Sequence, residues 1–263
     1  LIDPLVFYLL IGAVAGVLAG LLGVGGGLVI VPTLVFVFRA YGIAEAAATH
    51  VAIGTSLATI VFTSMSSVWA HHRHGAVMWP VFLRLTPGLI LGAFVGATIA
   101  DFLSTQSLSK VFGVFELAIA AYMIYDRKPA PHRDLPGAAG MLGAGGIIGT
   151  VSAIIGIGGG TMTVPFLVWC NQNIRHAVAT SAACGLPIAV AGAVGFIVAG
   201  LNETGLPQDA SGYLYWPAFL GIVVCSIVTA PLGAKLAHTI PTGALKKVFA
   251  LFLVGLGIRM LLA

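Results

Sequence analysis

Two glycine-rich stretches of one form, 133 positions apart, constrain this chain more than any other feature. The first runs Gly23-Val-Gly25-Gly26-Gly27 and leads into Leu-Val-Ile-Val-Pro32; the second runs Gly156-Ile-Gly158-Gly159-Gly160 and leads into Thr161-Met-Thr-Val-Pro165. Adjacent glycines are poor helix formers, and a proline five residues on removes an amide and frees the carbonyl four residues before it. Both stretches sit in apolar surroundings: 59% of the 263 residues are hydrophobic and 8% are charged, where a soluble domain carries about 25%. Mean hydropathy is +1.07. Inside a bilayer, backbone that leaves the helix must be buried in protein or line a wet cavity. Each stretch is therefore predicted to be a break at membrane depth, in an all-α polytopic membrane protein.

The segments between the breaks can be counted. Residues 5–22 are apolar, with Gly12, Gly16 and Gly20 recurring every fourth position, the small-residue pattern that lets membrane helices approach closely. After the first break, residues 28–38 are apolar over about 16 Å of helix, roughly half a hydrocarbon core. A third segment over 46–70, a fourth over 77–101 with a second ladder at Gly88, Gly92 and Gly96, and a fifth over 107–125 complete the half. A polar run, Asp126-Arg-Lys-Pro-Ala-Pro-His-Arg-Asp134, then reads as a linker.

Beyond the linker the order restarts. Gly12, Gly16 and Gly20 align with Gly145, Gly149 and Ala153 at the shift of the glycine breaks; Trp79-Pro80 and Lys110-Val-Phe112 answer Trp216-Pro217 and Lys247-Val-Phe249 at a shift of 137. The spacing predicts two five-segment repeats, 1–126 and 135–263, joined by a linker at 127–134, with about 8–10 membrane segments in all. Lys and Arg mark cytoplasmic loops. Arg127, Lys128 and Arg133 place the linker there, Arg73 does the same for the loop after segment three, and Lys235, Lys246 and Lys247 for a turn in the second half. Residues 101–106 and the acidic loop Asn202–Asp209 are then outside, as are both termini, and the halves are inverted relative to one another. The two segments flanking a break either cross separately or form a re-entrant hairpin; the parity is the same.

A helix that begins at a break points free amides and a partial positive charge inward, a setting for a small anion. Gly25, Gly26, Gly27, Gly158, Gly159, Gly160 and Thr161 are the candidate residues there. Packing alone also explains repeated glycines, though not the proline repeated at the same distance. In segment three, Thr49, Ser56, Thr59, Thr63 and Ser66 share one helical face with Ala52, and Thr49, Thr55 and Ser56 lie nearest the break. Such a stripe either wets a pathway or bonds to neighbouring helices. The matching stretch of the second half keeps Thr180 and Ser181 but replaces Gly54-Thr-Ser56 with Gly185-Leu-Pro187, so the two halves of a site are unequal. Ionisable groups within membrane segments carry functional hypotheses by default. His50, Arg84 and Glu116 are of this kind: His50 reads as a donor to an anion, a proton relay or a cap, Arg84 snorkels, and Glu116 lies well inside segment five, not level with Arg84.

Several functions are disfavoured. The net charge of +4 is scattered, which argues against nucleic acid as a partner. No phosphate-loop or His-Glu-x-x-His motif occurs, and Cys170, Cys184 and Cys225 form no Cys-x-x-Cys pair, so the reading is of a non-enzyme without cofactor, metal or disulfide framework. The chain begins on Leu rather than Met, and its first residues support no reading of a leader.

The paired glycine motifs, with Ala48-Thr-His-Val-Ala-Ile-Gly-Thr-Ser56 and Ala179-Thr-Ser181 downstream, resemble the TauE/SafE family over both halves. The resemblance implies a permease of the cytoplasmic (inner) membrane that moves sulfite or organosulfonates, generally as an exporter. Proton or sodium coupling stays open, as do a channel and a carrier of another small solute or cation.

The orientation is testable. Cysteines placed at Pro129 and Ala244 should be protected from an impermeant thiol reagent in right-side-out vesicles, and one at Thr204 should be labelled; labelling of Pro129 and Thr204 from the same side sinks the inverted arrangement.

Overall fold

A computed structural model describes residues 3–22, 25–125, 134–236 and 242–262. The linker expected at 127–134 therefore falls outside the described residues except for Asp134. Ten α-helices are present among them: α1 (Pro4–Leu22), α2 (Gly27–Ala40), α3 (Ala48–Arg73), α4 (Trp79–Asp101), α5 (Thr105–Tyr125), α6 (Ala138–Ile155), α7 (Gly160–Trp169), α8 (Ile174–Ala199), α9 (Trp216–Leu236) and α10 (Thr242–Leu262). Seven helices are long and apolar enough to cross a bilayer, and Gly27–Ala40, Gly160–Trp169 and Phe249–Leu262 are shorter apolar helices. The helices of the first half begin and end within three residues of the apolar runs. The sequence reading had no counterpart for a two-stranded hairpin, β1 (Ala210–Ser211) and β2 (Leu214–Tyr215), which follows the acidic loop.

Glycine ladders set the closest packing. A Cβ built on Gly88, Gly92 or Gly96 of α4 would collide with the carbonyl oxygens of Leu142, Gly146 and Thr150 of α6, in that order. The constant step means that α4 and α6 run parallel, backbone against backbone. Gly12 and Gly16 of α1 meet Ile222 and Ser226 of α9 in the same way. Further packing pairs α3 with α8, α5 with α10, α2 with α3 and α7 with α8.

Polar contacts sort the helix ends into two levels. The start of α3, the end of α4 and the start of α5 lie together, because His50 Nε2 is 3.0 Å from the Ala100 carbonyl and Thr105 Oγ1 donates to Ala46 O at 2.7 Å. The hairpin joins them: Tyr213 OH donates to Asp101 Oδ1 at 3.0 Å, and Tyr215 N donates to Thr55 Oγ1 at 3.0 Å. Burial, then the hydrogen bond and charge of Asp101, hold the Tyr213 phenol above its ordinary pKa. At the opposite level the α3–α4 loop meets the start of α8, with Met78 N donating to Thr180 Oγ1 at 3.0 Å and His176 Nδ1 2.9 Å from Ala76 O. Helices α3 and α8, matched by sequence, therefore run in opposite directions.

A further contact fixes the course of the first half-pair. Tyr41, just past α2, packs edge-on against Phe7 in the first turn of α1, with ring centroids 6.4 Å apart. Chain that enters along α1 returns along α2 to the level where it began, with the break at the tip of the hairpin.

Because Gly92 leaves no room for a methyl group against Gly146, Gly92→Ala should destabilise the detergent-solubilised protein by about 1–3 kcal/mol, the usual cost of overpacking. A melting curve measures this, and an unchanged melting temperature would mean that α4 and α6 pack less closely than described here.

Candidate functional site

Each break ends on a glycine in the left-handed region. Gly26 caps α2 with φ 81°, and Gly159 caps α7 with φ 73°. Neither offers a side-chain oxygen, so the first amides of each helix are left to another acceptor. Prolines 32 and 165 lie inside α2 and α7, each of which continues beyond its proline.

The two breaks meet. A Cβ on Gly25 would lie 3.0 Å from Gly158 Cα, and one on Gly27 would strike Gly156 O. The central helices close around this junction. Ser56 Oγ of α3 donates to Gly156 O at 2.9 Å, and a Cβ on Gly185 of α8 would come within 2.6 Å of Gly158 O. Ser56 thus satisfies a carbonyl that the end of α6 leaves open.

Around the second break lie three hydroxyls without partners. Ser152 Oγ, Thr161 Oγ1 and Thr163 Oγ1 are buried and make no hydrogen bond. A Cβ on Gly159 would sit 3.6 Å from Thr163 Oγ1 and 3.8 Å from Ser152 Oγ, so both face the cap of α7. Leaving a buried hydroxyl unpaired costs about 1–3 kcal/mol, and the two that face the uncapped end of α7 are ready donors for an oxyanion. At the same shift of 133 positions, the first break has Ala19, Leu28 and Ile30 in their places. At these matched positions only the second break is polar. Thr161 was expected from the sequence; Ser152 and Thr163 were not, although comparing the halves position by position singles them out.

The other sequence candidates are distributed differently. Thr49 Oγ1 is 2.8 Å from Ser109 Oγ of α5. His50 engages Ala100 O and Thr105 with its two nitrogens and stacks on Tyr213 at 5.0 Å. Thr55 and Thr180 accept the backbone amides of Tyr215 and Met78, and Ser181 Oγ donates to Val178 O of its own helix at 2.8 Å. These side chains tie helices and loops together away from the junction. Along the hydroxyl stripe, Thr59 donates to Ser56 O, Thr63 reaches Thr59 O and Ser226, and Ser66 donates to Ile227 O. A neighbouring face matters more: a narrow crevice beside the first break is lined by Ala19, Gly25, Thr63, Ser64, Ser67 and Ala182, and runs toward the Arg73 end of α3.

Comparison with known proteins agrees with this architecture. The family model described as sulfite exporter TauE/SafE matches residues 8–260. A probable membrane transporter protein of Haemophilus influenzae is 39% identical over 256 residues, covering 97% of both chains. One from Methanocaldococcus jannaschii is 28% identical over 258 residues, covering 97% of this chain and 94% of its own. No solved structure matches.

If the three hydroxyls serve a ligand, their removal should separate affinity from stability. Thr163→Val and Ser152→Ala should each leave the melting temperature unchanged or higher, since an unpaired buried donor is lost. Each should also weaken binding of a small oxyanion such as sulfite by about tenfold, near 1.4 kcal/mol. Titration and melting curves on the same samples decide; unchanged affinity would leave the hydroxyls without a ligand.

Proposed function

The chain belongs to the TauE/SafE family, and on that premise and the geometry of its two breaks we propose that it is a secondary transporter of small sulfur-containing anions such as sulfite or organosulfonates, working as an exporter. Membrane transport is the activity given to its relatives by name. The observation that carries the anion reading is the pair of unpaired hydroxyls of Ser152 and Thr163 facing the Gly159 cap, with the unpaired Thr161 in the same first turn of α7. Sulfite and sulfonate groups present several oxygens, each an acceptor, and take up hydroxyl and amide donors together. No Lys or Arg lies among the residues just named, so charge is met by dipoles and by the positive end of α7. Such a site holds an anion without trapping it, as a carrier requires.

The proposed mechanism is alternating access by two inverted five-helix repeats, α1–α5 and α6–α10. Two features support it. The matched helices α3 and α8 run oppositely, and the packing pairs map onto one another when the halves are exchanged: α1 on α9 with α6 on α4, α2 on α3 with α7 on α8. Breaks that meet at the centre are where such repeats hold substrate. The membrane is the cytoplasmic one, as the family implies, with both termini outside by the distribution of Lys and Arg.

Uptake into proteoliposomes tests the reading. Across a panel of sulfite, sulfonates, sulfate, thiosulfate and carboxylates, flux should saturate and be best for sulfite or a sulfonate. Unitary currents in a planar bilayer would make the protein a channel, and absence of flux for every sulfur-containing anion would overturn the assignment.

A further inference from the structure

Glu116 is the one carboxylate named so far that lies deep within a helix, and nothing above uses it. It sits in the middle of α5, is fully buried, and neither carboxylate oxygen has a hydrogen-bond partner. Its depth follows from its neighbours. Helices α3 and α5 start at the same level and are joined by Thr49 and Ser109. Seven residues further along each helix, about 10 Å, come Ser56, bonded to the second break, and Glu116. Seven residues is close to two full turns, so Glu116 shares the face of Ser109 and looks toward α3.

Among the described residues, no counter-charge faces it. Helix α6 carries no titratable side chain. On α3, His50 is held by Ala100 and Thr105, while His71, His72 and Arg73 lie in the last turn, about 20 Å beyond the level of Ser56. On α10, Gly257 packs near Gly113 and Leu117. Arg259 is exposed and places its guanidinium 3.9 Å over the Phe36 ring, and Lys246 and Lys247 are ten or more residues from Gly257. On α5 itself, Lys110 is exposed, and Tyr122 and Tyr125 lie six and nine residues on.

An ionised carboxylate without partner or water is costly, and the neutral acid is far less so. A carboxyl placed here takes up a proton when enclosed and releases it when the path opens to water. We propose that Glu116 is the proton-binding site that couples anion movement to the proton gradient, one proton per cycle. The position is single: at the shift of 137 the second half has Leu253, which is also buried.

This inference rests on the transporter reading, and the experiment separates their failures. Proteoliposomes containing a pH-sensitive dye are given gradients of the fully ionised sulfonates of the panel, which carry no proton of their own. The wild-type protein should move protons in a fixed ratio to the sulfonate. Glu116→Gln should still let sulfonate run down its gradient, with at least a tenfold loss of protons moved per anion. Infrared spectra of the reconstituted protein should show a neutral carboxylic acid band that is missing from Glu116→Gln. Proton movement per anion that survives in Glu116→Gln, or a wild-type spectrum without that band, overturns the proposal. Sulfonate flux without protons in the wild type defeats this inference alone, whereas no anion flux under any gradient defeats the transporter reading with it. Should Glu116→Gln fail to fold, Glu116→Asp decides: it keeps an acid one methylene shorter, and the pH of half-maximal flux should move. An unmoved profile overturns the assignment.

Discussion

The structure depends on backbone meeting backbone at the buried junction of the two breaks. Chain that leaves the helix there has no water to turn to, and its amides and carbonyls need protein partners. The junction of the breaks supplies some directly, as where Ser56 closes the Gly156 carbonyl. It can form only because Gly25, Gly27 and Gly158 bring no side chains to the contact. The proline that follows each break does not stop its helix. It removes one amide from the early part of α2 and of α7, near the end that already has free donors.

An arrangement of matched halves predisposes to a symmetric site, yet the matched positions at the two caps differ in polarity. Ser152, Thr161 and Thr163 surround the second cap, while Ala19, Leu28 and Ile30 hold the corresponding places at the first. Helix α3 contributes Ser56 to the second break, and α8 contributes the bare backbone at Gly185 and the Ile188 side chain beside the Gly159 cap. Both central helices thus reach the same junction. The first break supplies close packing and a wall, along with the crevice that reaches it past Thr63, Ser64 and Ser67.

Much of this was legible in the sequence, for identifiable reasons. Apolar run length and glycine position report helix limits directly, so α1 to α5 fall where expected, and the Gly88, Gly92 and Gly96 ladder is a helix contact as its spacing implied. Opposed faces are another matter. The period of Thr49, Ser56, Thr59, Thr63 and Ser66 says that they share a side of α3, but not that Ser226 and Ile227 stand across from them and take up the hydroxyls. His50 illustrates the same limit: its partners, Ala100, Thr105 and Tyr213, lie 50 or more residues away. The hairpin at 210–215 has two-residue strands, too short to leave a period of two. Ser152 and Thr163 were visible only as differences between halves, since a single Ser or Thr in an apolar helix ordinarily bonds its own backbone.

The packing also restricts how such a molecule moves. Where α4 lies on α6 and α1 on α9, glycine backbone lies directly against the neighbouring helix, on carbonyl oxygens and, at Gly16, on the Thr229 hydroxyl as well, and close-packed contacts of this kind do not deform gradually. Each pair therefore behaves as one rigid unit, and each unit contains a helix from either half. Relative motion falls to the contacts made by side chains, those of α3 and α8 with their neighbours and with the tips of the two breaks. Ser56 to Gly156 and Thr63 to Ser226 are hydrogen bonds that can be exchanged for water or ligand at small net cost. A swing at these contacts would widen the crevice past Ser64 and Ser67 that reaches the first break, while the glycine-packed pairs stay closed.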